Sequence, residues 1–586
     1  MERIHTIILL EVSSVLGQDG NMTENVQKFP KQFLGPSYSS RVARADAERT
    51  VNMYIEINPL QTAANDEMST LIGMPGLTLI TNLGTNPIRG LYTTQDTSTA
   101  YAVTGNQLYR IYSTNLSTPT LVGTLATSSG PVNFADNGIN VLLVDGQYGY
   151  VTSLITSPAI TLGTFISAGL TYVNGTYNNF PLSGGNGTGL TVNLVVTGHA
   201  IVSCTLANPG TGYQVGDVLN ANSLGDTAFT IKVATCPLSV TTITNPNFYP
   251  ASTVAFQDGY FICNQVGTPY FFISDLYNTN FLPLNEANKS GAVDNIQGLV
   301  VLNRILYLIG QNTAETWWDS GQSGSTPFTR QDGQFNQVGC VASQTIQKLF
   351  NTFIWLGRSP EGGGVVYQMQ NSQATRISNH AVEYAIQTLP GDISTAKAYT
   401  WQTEGHYFYA LNLPGSTTTW VYDLDSQIWV EQQTNIAGVM GRHLVDNHCY
   451  FANAHLVGDY STGNIYKYDY TNYTDNGNPI VRIRQAPHIT DSMKWIFYKV
   501  FQIDFTPGTG NSLQSNPQVM LNWSDDGGET WSAPLYAAIG AQGAFTTRAR
   551  WSRLGKSRDR IFRVTCSDPV KFDIVSAMMD IEEGNA

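Results

Sequence analysis

Near its C-terminal end the chain reads SDDGGETW, and Ser524, Asp526, Gly528, Thr530 and Trp531 fill the fixed positions of the Asp-box pattern S-x-D-x-G-x-T-W. The chemistry this raises is glycoside hydrolysis, which in its usual form sets two carboxyl groups on either side of one bond. A single box does something simpler. Asp526 is placed to accept backbone N–H groups of its own turn, Gly528 supplies a positive φ, and Trp531 covers the turn. A hydrolase built on such boxes needs several of them, three convergent arginines, a Tyr–Glu nucleophile pair and an Asp acid. The sequence has one box, so the motif reads as a structural hairpin clasp.

The other candidates are weaker. Asp423 with Asp425, and Asp525 with Asp526, lie in turns, where Asp is expected. His443, His448 and His455 flank Cys449, but strand alternation does not gather the three on one face with ligand geometry. Gly362 to Gly364 follow Pro360 and Glu361 and read as a hairpin loop; no helix follows that would make them a phosphate cradle. Nucleophile-elbow, P-loop and zinc-protease motifs are missing. Cys204, Cys236, Cys263, Cys340, Cys449 and Cys566 are scattered without a C-x-x-C and read as mostly buried, reduced thiols. The expectation is a protein that is not an enzyme, with no cofactor and no metal.

The most concentrated charge is RARWSRLGKSRDRIFR, residues 548–563. Arg548, Arg550, Arg553, Lys556, Arg558, Arg560 and Arg563 stand there against Asp559, in a chain of net charge −13. Alternation puts Arg548 and Arg550 on one strand face and Trp551 on the other. The stretch reads as a docking surface for an acidic partner, a protein before DNA. SSRVARADAERT, residues 39–50, mixes Arg41, Arg44 and Arg49 with Asp46 and Glu48. It reads either as a short solvated helix, with a turn or two over Ala43–Arg49, or as a subunit contact.

Charged residues make up only 12 % of the chain against 42 % hydrophobic, with 54 glycines. Low charge with many aromatic, β-branched and Gly residues reads as mostly β. The acidic balance excludes DNA wrapping or sequence reading, which require cations to replace phosphate counterions. It leaves room for a channel through which DNA slides without sticking.

The elements that position these residues come in blocks. Residues 1–28 read as a loose extension: the apolar run ahead of Glu11 makes a poor signal peptide, and Met22 is a plausible alternative start. Residues 29–83 read as an extended arm. Residues 84–164 and 246–475 carry short strands joined by DNG, DGQ and TGN turns, recurring every 45–60 residues or so, the scale of β-propeller blades; five to seven fit the length. Residues 165–245, rich in Gly, Asn and Thr, break that pattern and read as an inserted β-module. Residues 476–586 have longer alternating strands and read as an antiparallel β-sandwich.

The C-terminal text WSDDGGETWS and RARWSRLGKSRDRIFRVTCSDPVKFDI resembles the closing region of the packaged-DNA-stabilisation proteins of short-tailed bacteriophages, the tail hub or nozzle family. The arm FLGPSYSSRVARADAERTVNMYIE and the GMPGLTLI after it resemble that family's opening. The resemblance spans about residues 30–586 outside 165–245. It implies a virion protein of the tail, assembled in the host cytoplasm as a homo-hexameric ring beneath the portal and its adaptor. Such a ring extends the channel, retains packaged DNA, conducts it at ejection without sequence-specific binding, and carries the tail needle and tailspikes or fibres; no membrane insertion is implied. The alternative reading is a propeller glycosidase or a carbohydrate-binding adhesin.

Overall fold

The structure is a computed structural model. It describes residues 26–28, 33–42, 46–57, 69–155, 160–185, 187–225, 228–322, 326–359, 362–491 and 494–584. Seven antiparallel units of four or five strands follow one another as propeller blades; the first five are sheets of their own, and the last two are parts of larger sheets. Blade 1 runs from Ile88–Thr93 to Asn115–Thr124, and blade 2 from Asn133–Asp136 to an outer strand at Val240–Thr242. Blade 3 runs from Val254–Gln257 to Glu286–Asn288, and blade 4 from Ile296–Leu302 to Phe328–Asn336. Blade 5 spans 339–376, and blade 6 runs from Lys397–Thr403 to Ile428–Ile436. Blade 7 takes three strands from Val445–Phe451 to Asn464–Asp469 and a fourth, Gly76–Asn82, from the other end of the chain.

The local sequence explains these units. In TWVYDLDSQIWVEQ, the strands Thr419–Asp423 and Ile428–Ile436 flank a turn whose Asp425 N–H and Ser426 hydroxyl donate to Asp423 at 3.1 and 2.7 Å. Trp429 returns into the core, and its indole N–H donates to the Ile377 carbonyl at 2.9 Å. Each gap between neighbouring blades holds its own apolar cluster, and the ring closes where Ile88 of blade 1 packs with Phe451, Leu456 and Ile465 of blade 7. Gly458 permits that closure, since a Cβ there would lie 2.6 Å from Ile88 Cγ2.

The inserted module leaves blade 2 after Gly149–Ser153. Its sheets run from Thr161–Ser167 to Thr230–Thr235 around a separate core that includes Tyr172, Leu194, Phe229 and Ile231. It starts a few residues before the expected boundary at 165. It also ends before 245, because Val240–Thr242 already pairs with blade 2.

The sandwich holds Phe501, Trp551 and Phe562 between two sheets. One contains Ile496–Phe505, Ala549–Ser552 and Ile574–Glu583; the other contains Arg482–Gln485, Gln518–Ser524 and Asp559–Cys566. Two expectations about the N-terminal region change here. The described residues of 29–83 are not a separate extended arm. Met53–Ile57 and Ser69–Gly73 are strands of the sandwich, Gly76–Asn82 belongs to blade 7, and Ala47–Val51 bridges the two bodies. Val51 pairs in parallel with Glu431 of blade 6, while Arg49 to Val51 pair antiparallel with Ile483 to Gln485, making one continuous sheet. The second concerns the loose extension: Val26–Lys28 pairs with Met578 to Asp580, and residues 1–25 lie outside the described residues. The helix expected near residues 43–49 is a strand from Ala47 onward, because Thr50 and Val51 bury against both neighbours.

Candidate docking surface and central cavity

The Asp box closes a tight loop after Gln518–Ser524. Ser524 Oγ donates to Asp526 at 2.7 Å and accepts the Gly528 N–H at 2.8 Å. Asp526 accepts the Thr530 N–H at 3.0 Å on both oxygens and the Thr530 hydroxyl at 2.5 Å. These donors hold its carboxyl well below the usual carboxylate range, the Thr530 hydroxyl foremost. Gly527 and Gly528 take φ of 84° and 98°, where a side chain is strained. Trp531 donates its indole N–H to the Gly528 carbonyl at 3.1 Å. Every fixed position is used inside the turn.

Asp525, the neighbouring carboxylate, faces the other way. It accepts both arms of Arg560, Nε at 2.6 Å and Nη2 at 2.7 Å. The Arg560 side chain is 2 % exposed; Nη1 donates to the Leu554 carbonyl at 2.5 Å, and the guanidinium lies 4.5 Å from the Tyr498 ring and 5.2 Å from Trp523. Arg563 sits 3.4 Å over Trp531 and donates twice to Gln485 Oε1, at 2.9 and 2.8 Å. Burial, with a smaller push from Arg49, brings its guanidinium down to about 10. Arg560 therefore belongs to the interior of the sandwich, Arg563 lies half-buried against Trp531 and Gln485, and both leave the proposed docking set.

Arg548, Arg550, Arg553, Lys556 and Arg558 are exposed. Lys556 and Arg558 stand over the same ring, Trp495, at 4.7 and 5.0 Å, and Phe497 beside them is exposed. Arg548 approaches Asp504 at 3.8 Å. Close by, Lys499 and Lys494 are answered by Glu582 and Glu583 at 2.8 and 3.1 Å. The surface is thus aromatic as well as cationic, which suits partners with acidic and apolar groups together.

The mixed charges near residues 39–50 are intrachain ties. Arg49 holds Glu431 of blade 6 through Nε at 2.9 Å and Nη2 at 2.5 Å, and Glu48 accepts from the buried Arg484 at 2.5 Å. Arg41 stays on the surface over the Tyr384 ring, and Arg44 lies outside the described residues.

The first strands of blades 1, 2, 6 and 7, with Gln344 and Gln347 of blade 5, line a cavity of 190 Å³. Arg89 fills much of its wall, donating to the carbonyls of Gly105, Thr127, Ser129 and Gly130 at 2.6–2.9 Å. Lys397 pairs with Asp446 at 2.9 Å. Burial alone would raise the Asp446 carboxyl, but Arg442 and Lys397 beside it bring it below its ordinary value. The cavity is smaller than the roughly 300 Å³ at which ordinary ligand pockets begin.

The histidines separate. His443 is buried against Thr434 at 3.1 Å, whereas His448 and His455 meet across their hairpin at 3.0 Å. Burial first, then neighbouring His455, pushes His448 down to about 3. Among the described residues no three His, Cys, Asp or Glu side chains form a metal-holding group. All six cysteines are free, and five are buried.

Residues 220–473 match the sequence profile described as bacteriophage P22 Gp10, beta-propeller, and residues 482–582 match that of bacteriophage P22 Gp10, beta-sandwich. The chain belongs to the P22 Gp10 family, the tail hub or nozzle proteins of short-tailed phages. Gp10-family proteins are structural components of the phage tail. Among solved structures, the chain is similar to the WD40 beta-propeller domain of Doa1, at 10 % identity over 67 % of this chain and 95 % of that one, with a TM-score of 0.28. It is also similar to the N-terminal domain of Nup159, at 9 % identity over 72 % and 98 %, TM-score 0.33. A third is Kluyvelomyces marxianus Hsv2, at 9 % identity over 59 % and 97 %, TM-score 0.25. No curated protein matches.

Residue-by-residue reading missed two buried cations on the sandwich strand Arg482–Gln485. Arg482 and Arg484 are fully buried; Arg484 reaches Phe33, Gly35, Pro36 and Glu48, while Arg482 donates to the Val570 carbonyl at 3.3 Å. The alternation in VRIRQA was visible. It placed both arginines on one strand face, and nothing nearby in sequence says that this face is covered.

Proposed function

We propose that this chain is the hub, or nozzle, of a short-tailed phage tail. Six copies form a ring beneath the portal and its adaptor, retain the packaged genome, conduct it at ejection, and offer their outer faces to tail needle and tailspikes or fibres. Assembly takes place in the host cytoplasm. The observation that carries this reading is the closed propeller. The seventh blade packs on the first, so each copy is a closed body, and a ring of such copies leaves the passage between them. The net charge of −13 supports a lumen that repels phosphate and lets DNA slide. The exposed Arg548, Arg550, Arg553, Lys556 and Arg558, with Trp495 and Phe497, form the surface that docks an acidic neighbour.

Electron microscopy of the full chain mixed with its adaptor tests this. A six-fold collar with an axial opening between copies is expected, and Arg558→Glu with Lys556→Glu should weaken the collar. A chain that stays monomeric with its adaptor would refute the reading.

A further inference from the structure

The face of the propeller that carries the turns between first and second strands holds a second cavity, of 670 Å³, where blades 5, 6 and 7 meet. Its most unusual wall is Phe350. This residue is the first of a two-residue turn, in which Leu349 pairs with Thr352, and its φ is +54°. Glycine takes that conformation freely and a bulky side chain does not. Burial gives nothing back, since the residue is 64 % exposed. Backbone strain that does not serve the core concentrates at functional sites.

The Phe350 ring rests against Tyr407 of blade 6 at 4.9 Å. From the other side of blade 6's first strand, blade 7 contributes Tyr450, half exposed, against the His455 ring at 4.9 Å. The His455–His448 bond at 3.0 Å fixes that imidazole. Between these two aromatic pairs blade 6 presents Gln402, Thr403 and Glu404, the first and last of them exposed. The cavity has the volume of a small-molecule site. Its character is apolar rings flanking short polar groups, with Lys348 and Glu404 offsetting each other.

We propose that this cavity binds a neutral saccharide unit. A pyranose has an apolar C–H face to lay on Phe350 and Tyr450, and a rim of hydroxyls to donate to Glu404 and accept from Gln402. Phosphate and polyanions find a lining whose one lysine, Lys348, is offset by Glu404, in a chain of net charge −13. The site makes no claim on catalysis: binding is its whole function here, and it stands whether or not the hub reading does.

The test titrates the full chain by calorimetry with methyl glycosides of glucose, galactose, mannose, rhamnose and N-acetylglucosamine, and with their oligosaccharides. At least one is expected to saturate with one site per chain. Phe350→Gly removes the ring and relieves the turn, so it should lose affinity about tenfold or more while the thermal midpoint holds or rises. Tyr450→Ala, on a different blade, should lose affinity as well. Failure of every probe to saturate would overturn the proposal. So would undiminished affinity in the Phe350 and Tyr450 variants, or displacement of the bound sugar by heparin.

Discussion

Arg560 offers the sharpest test of how the C-terminal cations divide. Replacing it by Ala strips Asp525 of both bonds, but that carboxylate is 45 % exposed and rehydrates. The cost falls on what stays buried. The Leu554 carbonyl loses its donor, worth about 1–3 kcal/mol, and the guanidinium's contacts with Tyr498 and Trp523 add about 1–2 kcal/mol. With the lost packing the total is about 4 kcal/mol, in the range for breaking a buried ion pair from one side. A sandwich of roughly 100 residues loses about 4–8 °C per kcal/mol, so its calorimetric transition should fall by more than about 10 °C in the full chain. Arg558→Ala, two residues away and exposed, should stay within about 0.5 kcal/mol of the parent. Asp525→Ala should destabilise less than Arg560→Ala, and Arg560→Met with Asp525→Ala should cost less than the two single changes together. Equal transitions for the Arg558 and Arg560 variants would refute the division between docking and interior cations.

Other outcomes follow from the same geometry. Asp526→Ala removes the acceptor of the Thr530 N–H and hydroxyl, and hydrogen exchange over residues 524–531 should quicken with no change in the propeller. Gly458→Ala drives a Cβ into Ile88 where the ring closes, and should cost about 1–3 kcal/mol in the propeller's unfolding transition. Burial, opposed by Thr434 and Arg482, raises the Asp475 carboxyl from 3.8 to about 7. The folded chain then holds a proton that the unfolded chain has released, so this site loses stability as pH rises from about 4 to 7, by at most about 4 kcal/mol. Asp475→Asn should flatten that slope in thermal melts taken between those pH values.

Most blades were legible because their strand pairs are local: turn residues and alternation sit within one hairpin, as in TWVYDLDSQIWVEQ; the sandwich was legible from the alternation of its longer strands, although these pair across distant segments, Ile496–Phe505 with Ile574–Glu583. The module's limits were less so, since Val240–Thr242 is only three residues and looks like the text around it. Two things were not legible at all. Ala47–Val51 owes its conformation to Glu431 and Arg484, hundreds of residues away, and its own sequence reads as a short helix or a subunit contact. Arg560 and Arg563 were counted as surface because charge was counted. Their burial depends on Asp525, Gln485 and Trp531, which only the folded sheets bring near.

The fourth strand of blade 7 has a consequence in time. Asn82 and Asn464, bonded across that blade, are 382 residues apart. At about 5–20 residues per second, a ribosome makes the second some 20–75 s after the first. Throughout that interval Gly76–Asn82 has neither Asn464–Asp469 beside it nor a closed ring to join, and six blades can form in the meantime. An unpaired strand edge is an invitation to other chains. The seam that finishes the propeller is thus also the step at which two nascent copies can exchange strands, and yield of folded protein should depend on how crowded the translating ribosomes are.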